Sequence, residues 1–305
     1  MKKIFEVAES IATSRASVLI TGESGCGKEL LARYIHARSP RALKRFVAIN
    51  CAAVPEGLLE SELFGYEKGA FTGADQRKVG KFELANDSTF LLDEISEMPL
   101  PLQAKILRVL QEGEIERLGG SGPIRINVRI VATTNRSLEE MVKEGTFRED
   151  LYYRLNVIPL KIPPLRQRQS DIEYLARHFV EVSCTENTLA MKTLGAAALV
   201  TLKGYRWPGN VRELQNVIER SVLLCPETEI GADHILLPDG EKIGALDENL
   251  APGMTVSEAE RLLILKTLEF TEQNRTRAAE LLGISIRTLR NKLHEYQGVR
   301  NEADL

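Results

Sequence analysis

An α/β fold is what this 305-residue sequence predicts: a parallel sheet flanked by helices, then an α-helical subdomain, then a separate all-α tail. Three observations carry that prediction. Short β-branched runs alternate with longer helical patterns through the first half of the chain. Strand signals then stop, and residues 170–225 read as helix. Periodicity lapses over residues 231–254, which gain Gly, Pro and Asp, and returns over 255–296. Strands alternating with helices need crossover connections, and those place helices on both faces of a parallel sheet.

The elements follow in order. SVLIT (17–21), RFVAIN (45–50), STFLLDE (88–94), RIVATTN (129–135) and NVIPLKI (156–162) are apolar runs bounded by turn or polar residues, the pattern of buried strands. Helices are expected over 28–38, 55–64, 100–112 and 137–144, with Pro101 suited to a first helical turn. One hairpin interrupts the alternation. IERL and IRINV flank GGSGP (119–123), with Ile124, Ile126 and Val128 alternating toward one face. The expected organisation is an α/β subdomain at 1–168, a helical subdomain at 169–230, a linker at 231–254 and an all-α tail at 255–305.

Composition narrows the setting. Apolar content of 43% against 27% charged is the balance of a folded globular chain, not of a disordered one. No apolar run approaches the roughly 18–20 residues a membrane span needs, and no signal-peptide pattern starts at Met1. Cys26, Cys51, Cys184 and Cys225 lack CxxC spacing, which points to a reduced, cytoplasmic setting with neither a zinc site nor a disulfide framework. Net charge is -3, yet residues 274–300 carry six Arg or Lys against two Glu. A basic tail on an acidic body implies a polyanionic partner.

GESGCGKE (22–29) follows the first strand and opens a helix, the context that a G-x-x-x-x-G-K phosphate loop requires. Gly22, Glu23, Ser24, Gly25, Cys26 and Gly27 turn successive backbone N–H groups inward, while Lys28 adds a cation and the helix N-terminus its dipole. Glu29 stands where the usual pattern has a hydroxyl on magnesium, and a carboxylate there would hold the ion directly or through water. Cys26 reads as a small side chain with some scope for oxidation. STFLLDE ends a strand on two acids. In a P-loop ATPase, Asp93 would hold Mg2+ and Glu94 would orient the attacking water, with Asn135 on a further strand placed to sense the γ-phosphate. Positive charge for the transferring group is available from Arg148 and Arg154 in FREDLYYRLN and from Arg212 in WPGNVREL. Arg166 and Arg168 in PPLRQR read as structural.

The order of these pieces resembles an AAA+ ATPase. The intervening text is similar to one branch of it, the NtrC-like, sigma-54-dependent transcriptional activators (bacterial enhancer-binding proteins). The residues that carry the resemblance are GESGCGKE, FVAINCAAV, ELFGYEKGAFTGA, LLDEISEM, ATTNR, FREDLYYRLNV, PPLRQR and WPGNVRELQNVIER, spanning residues 1 to about 225. Glu29 is what this branch has after the P-loop lysine. The resemblance implies an AAA+ P-loop fold with a helical lid, ATP and Mg2+ as cofactors, and a hexameric or heptameric ring with ATP sites between subunits. It makes Arg148 and Arg154 fingers acting in trans, Arg212 the lid arginine, and Asn50 the partner that holds Glu94 away from the water. It also makes Gly69, Ala70, Phe71, Thr72, Gly73 and Ala74, the hexapeptide GAFTGA, the contact surface for sigma-54 in the RNA polymerase holoenzyme. LLDEISEM and its surroundings look most like the flagellar-gene activators of the family (FlrC-like).

NRTRAAELLGISIRTLRNKLHEY (274–296) reads as two helices joined through LGIS, with Asn274 capping the first and Ser285 the second. Ile286, Leu289 and Leu293 would pack inward. Arg287, Arg290, Asn291 and His294 would face a major groove, with Lys292 on phosphate. The pattern is similar to the Fis-type helix-turn-helix tail of the same family. The preceding helix, TVSEAERLLILKTLEF, would pair two tails into a dimer on a palindromic enhancer site. The function implied is an ATP-driven activator that remodels promoter-bound sigma-54 polymerase. The alternative is another AAA+ machine, an unfoldase or loader, with a DNA-binding tail. Family members usually carry an N-terminal regulatory domain, and Met1 stands close before the P-loop, so a chain trimmed at its start is expected.

Overall fold

The structure is a computed structural model that describes residues 1–238, 260–261, 263–265, 267–268, 271 and 274–298; of residues 280 and 294–298 it describes the backbone alone. Two compact units result, Met1–Gly240 and Glu241–Leu305.

In the first unit, β1 (Val18–Thr21), β2 (Val47–Asn50), β5 (Thr89–Asp93), β8 (Arg129–Thr134) and β9 (Ile158–Lys161) form one parallel sheet in the order β2-β5-β8-β1-β9. The five expected strands are these five. On the central strands β1, β5 and β8 alternate residues enter opposite cores, which is why those runs read as continuously apolar. Phe90 and Leu92 of β5 and Ile130 and Ala132 of β8 pack on one face. Leu91 and Val131, from the same strands, pack on the other with Val18 and Ile20.

Helices α1 (Lys2–Ala12) and α2 (Lys28–Ala37) cover that second face, through Ala8, Leu31 and Ile35. The opposite face is covered by α3 (Glu56–Phe64), α5 (Leu100–Glu112), α6 (Leu138–Lys143) and α7 (Glu149–Leu155), supplying Leu59, Ile106, Leu138 and Leu151. Short α4 (Lys81–Leu84) adds Phe82, whose ring lies edge-on to Phe90 at 4.8 Å. Each such ring or aliphatic side chain, fully buried, contributes roughly 1.5–3 kcal/mol. Buried Arg129 donates to the Ile11 and Ala12 carbonyls and so satisfies the C-terminal end of α1.

Two hairpins stand off this sheet: β3 (Gly65–Tyr66) with β4 (Lys78–Val79), and β6 (Glu114–Ile115) with β7 (Ile124–Arg125). The second is the expected hairpin, but its first strand is EI rather than IERL. Gly113, at φ 68, ends α5 immediately before it, so the strand starts as soon as the helix stops.

The lid follows: α8 (Gln169–Glu186), α9 (Ala196–Gly204) and α10 (Asn210–Leu224), with β10 (Thr193–Leu194) paired parallel to β11 (Glu229–Ile230). Its core centres on fully buried Trp207, whose indole N–H donates to the Leu202 carbonyl at 2.9 Å. A linker was expected from residue 231, but Ile235 is buried in the lid core and Leu237 packs against it. Residues 239–254 lie outside the described set.

The second unit holds α11 (Arg275–Leu281) and α12 (Ile286–Gly298). Ile264, Leu268, Ala278, Ala279 and Leu289 form its core.

Candidate nucleotide site, output loop and DNA-reading helix

The phosphate loop sits between the C-terminal end of β1 and the N-terminus of α2. Gly22, Gly25 and Gly27 have φ of 157°, 75° and 100°, and the last two lie in the left-handed region that favours glycine. Lys28 is 6% exposed. Its ammonium donates to the carbonyls of Gly22 at 3.0 Å and Glu23 at 3.3 Å, and pairs with Glu94 at 3.3 Å. A cleft of about 210 Å³ opens here, bordered by the P-loop from Ser24, by Glu29, Asp93 and Glu94, and by Val211 and Arg212 of the lid.

Glu94 follows the end of β5 in a left-handed conformation, φ 51°, a strained backbone for a residue with a side chain. Its other carboxylate oxygen accepts from the Asn135 backbone N–H at 3.2 Å. Asn135, one residue past the C-terminal end of β8, is exposed. Asn50 behaves differently from expectation. Its amide donates to Asp93 at 2.8 Å, not to Glu94, because the parallel register sets Asn50 directly beside Asp93. Glu94 instead has Lys28 as its side-chain partner. Glu29 borders the cleft, but one of its carboxylate oxygens accepts two bonds from Arg33 at 2.9 and 2.7 Å.

Lid and P-loop are tied together by pairings that the sequence did not show. Glu23 receives both ends of the Arg166 guanidinium at 2.8 and 2.6 Å and the Asn210 amide at 3.1 Å. These bonds, Arg166 foremost, hold its carboxyl at about 2. Buried Asn210 also donates to the Ser24 carbonyl and accepts from the Leu165 N–H. The Gly25 carbonyl accepts from the backbone of Val211 and Arg212, and the Arg212 guanidinium reaches the Ser24 hydroxyl at 3.4 Å. Arg166 and Arg168 are therefore braces between lid and phosphate loop, Arg168 through the Cys26 carbonyl. Burial pushes the Cys26 thiol up and the Cys51 thiol up to about 12, which removes the oxidation-prone reading of Cys26.

Arg148 and Arg154 do not border this cleft. Arg148 immediately precedes α7 and pairs with Asp150 at 2.7 Å, and Arg154 donates to the Leu110 carbonyl at 2.8 Å. Buried Gln103 anchors the backbone at Arg148, accepting from its N–H at 2.8 Å while donating to the Met98 and Thr146 carbonyls. No residue-type signal distinguished Gln103 in the sequence.

The GAFTGA segment is a closed loop between β3 and β4. Gly69 N–H donates to the Ala74 carbonyl at 2.8 Å, and Gly69 and Gly73 have φ of 84° and 97°. Phe71 is 45% exposed with its ring edge-on to Tyr66 at 4.9 Å, Thr72 is exposed, and Ala74 is buried. Ala70 lies against Gly119 of the second hairpin.

In the second unit, Asn274 and Ser285 accept from the N–H groups of Arg277 and Thr288, capping α11 and α12. Leu289 is buried and Leu293 packs on the same core, but Ile286 is exposed, one turn too early to reach it. Arg287, Arg290 and Asn291 are exposed. Lys292 pairs with Glu260 at 2.6 Å, so its ammonium is engaged within the unit. The His294 side chain lies outside the described set.

A P-loop, two acids at a strand end and a helical lid define an AAA+ ATPase. The family model for the Sigma-54 interaction domain matches residues 1–161, that for the AAA+ ATPase lid domain residues 166–240, and that for the bacterial regulatory proteins of the Fis family residues 255–296. The chain belongs to the sigma-54-dependent transcriptional activators, with a DNA-binding helix-turn-helix unit. It is 53% identical to the transcriptional regulatory protein FlbD of Caulobacter vibrioides, over 97% of this chain and 68% of that one. It is 51% identical to the regulatory protein AtoC of Escherichia coli, over 97% and 66%. Among solved structures it is similar to NtrX from Brucella abortus in complex with ATP, with a TM-score of 0.72 and 36% identity over 97% of this chain and 67% of that one. The chain thus spans about two thirds of the length of these relatives. None of the described helices is long and apolar enough to cross a membrane.

Proposed function

We propose that this cytoplasmic protein binds enhancer DNA through its tail, assembles a ring, and uses ATP hydrolysis to remodel a closed sigma-54 polymerase complex into the open one. The observation that carries the reading is the exposed tip of the GAFTGA loop. A hexapeptide without an acid, base or metal ligand closes on its own backbone at Gly69 and Ala74 and presents Phe71 and Thr72 outward. That is a contact surface held apart from the hydrolytic groups.

In the cleft, the glycine turns and Lys28 would cradle the phosphates, and the N-terminus of α2 would add its dipole. The acids, all oxygen donors, suit a hard cation bound by few protein ligands. Asp93 would hold Mg2+, with Glu29 near enough to help through water. When bound, the ion neutralises charge on the β- and γ-phosphate oxygens. Glu94 would orient the attacking water, and a γ-phosphate would compete with it for Lys28. Asn135, whose backbone already touches Glu94, would report the γ-phosphate. Arg212 approaches from the lid of the same chain. Arg148 and Arg154, pointing away from this cleft, would complete a neighbour's site. Arg287, Arg290 and Asn291 would read base edges.

Thr72→Ala tests the reading. ATP hydrolysis and assembly should persist while sigma-54 engagement is lost. Loss of hydrolysis and assembly instead would make the loop structural and favour a different AAA+ machine.

A further inference from the structure

The sheet places three polar side chains in one transverse row at its C-terminal edge: Asn50 on β2, Asp93 on β5 and Thr133 on β8. The register pairs Asn50 with Asp93, and it pairs Leu92 with Ala132, so the next step along two parallel strands sets Thr133 beside Asp93. The Asp93 carboxylate meets both neighbours. Asn50 donates to Asp93 Oδ2 at 2.8 Å, and the Thr133 hydroxyl donates to Asp93 Oδ1. The same hydroxyl accepts from the Glu94 backbone N–H at 3.2 Å.

The direction of these bonds follows from chemistry. A backbone N–H is a donor only, so the hydroxyl must offer Glu94 a lone pair and is left free to give its single proton to the carboxylate. Thr133 is fully buried, so water cannot readily replace either bond. The group it steadies on one side is strained, since Glu94 is the left-handed residue at φ 51°. The group on the other side is a carboxylate whose two oxygens are each oriented by one neighbour in the row.

We infer that Thr133 is a positioning residue: its one hydroxyl sets the rotamer of Asp93 and pins the backbone of Glu94, joining the two acids of the site. The inference rests on the roles given to Asp93 and Glu94 under the proposed function. Nothing in the sequence distinguished Thr133 from a β-branched filler of a buried strand. Its neighbour Thr134, though closer to the sensing asparagine, turns to the Arg136 backbone instead.

The test is nucleotide binding with and without Mg2+. A fluorescent ADP is titrated into the full chain in EDTA, then in rising Mg2+. Thr133→Val keeps the shape and removes both bonds, so the Mg2+ concentration for half-maximal effect should rise ~10-fold or more, the usual cost of losing a group that orients a metal ligand. Affinity in EDTA should stay within about twofold, since a lost orientation of Asp93 leaves the phosphate cradle intact. Thr133→Ser should restore the Mg2+ response, which a packing role would not predict. If the valine variant does not fold, by circular dichroism and Trp207 fluorescence, Thr133→Ala gives the same reading. Hydroxyl-free variants with a wild-type Mg2+ response would overturn the inference. Asp93→Asn separates the two ideas: if that variant still responds to Mg2+ as wild type does, the reading of Asp93 itself has failed.

Discussion

Gly25→Ala should uncouple the lid from the phosphate loop, and its cost divides into two parts. The first is conformational. Gly25 has φ 75°, and a side chain in the left-handed region costs roughly 1–2 kcal/mol. The second is steric. A methyl on Gly25 would overlap the Gly209 carbonyl oxygen and come within 3.2 Å of the Arg212 Cβ. The start of α10 must then move away, and the two backbone bonds from Val211 and Arg212 to the Gly25 carbonyl are lost. At about 0.5–1.5 kcal/mol each, these add ~1–3 kcal/mol. Gly27 supplies the control: it has φ 100°, but a methyl there meets nothing within 4 Å. The chain's single tryptophan, Trp207, is fully buried in the lid, so urea unfolding followed by its fluorescence reports on the lid directly. Without nucleotide, Gly25→Ala should unfold at lower urea than Gly27→Ala, by a difference equivalent to ~1–3 kcal/mol. Coincident transitions would refute the claim that lid and P-loop backbone are packed in contact.

Three further outcomes are expected. Glu94→Gln keeps the side chain's shape, so ATP binding should survive while hydrolysis falls by roughly 10²–10⁴; normal turnover would remove Glu94 from the water-orienting role. Subunits carrying Arg148→Ala, mixed with subunits carrying Lys28→Ala, should regain ATPase activity that neither has alone, and an absence of recovery would count against a finger acting in trans. Arg290→Ala should weaken specific DNA binding by about 1–3 kcal/mol at matched salt; unchanged affinity and specificity would strike it from the base-reading set.

The sheet was legible in the sequence because its central strands β1, β5 and β8 are buried on both faces and all five runs are bounded by polar residues, a pattern helices do not share. The phosphate loop was legible because its glycines must occur at fixed spacing between a strand and a helix. Pairings across the fold were not. Glu23 and Arg166 stand 143 positions apart, and neither residue type announces a partner. Asn50 was expected on Glu94, yet strand register sends its amide to Asp93; a one-residue step in a parallel sheet decides this, and spacing along the chain does not encode it. Ile286 met the apolar spacing of α12 but lies ahead of the point where that helix reaches its core. Residues 231–238 looked like linker by composition, since a segment that contributes Ile235 alone to a buried core shows no period.

The GAFTGA loop and the two acids at the end of β5 are joined by continuous structure. Glu94 is bonded to β8 at two places, through Thr133 and the Asn135 backbone. The chain entering β8 comes directly from β7, the second strand of the hairpin beside GAFTGA. That hairpin's loop is fastened to the base of the output loop. Leu118 exchanges backbone bonds with Gly65 and Glu67, and Arg117 pairs with both Glu67 and Glu83. Hydrogen bonds that Arg117 donates to two carboxylates, Glu83 first, raise its pKa further, so this brace stays charged wherever the protein is folded. Gly69 and Gly73, higher on the loop, have positive φ, and an added methyl at either would touch nothing within 4 Å. On the proposed function, ties at the base with open glycines at the shoulders would let a small shift at β8 reach Phe71 and Thr72 as movement of the tip. These two glycines are where, on the proposed function, a loop without catalytic chemistry would bend as the working end of an ATPase.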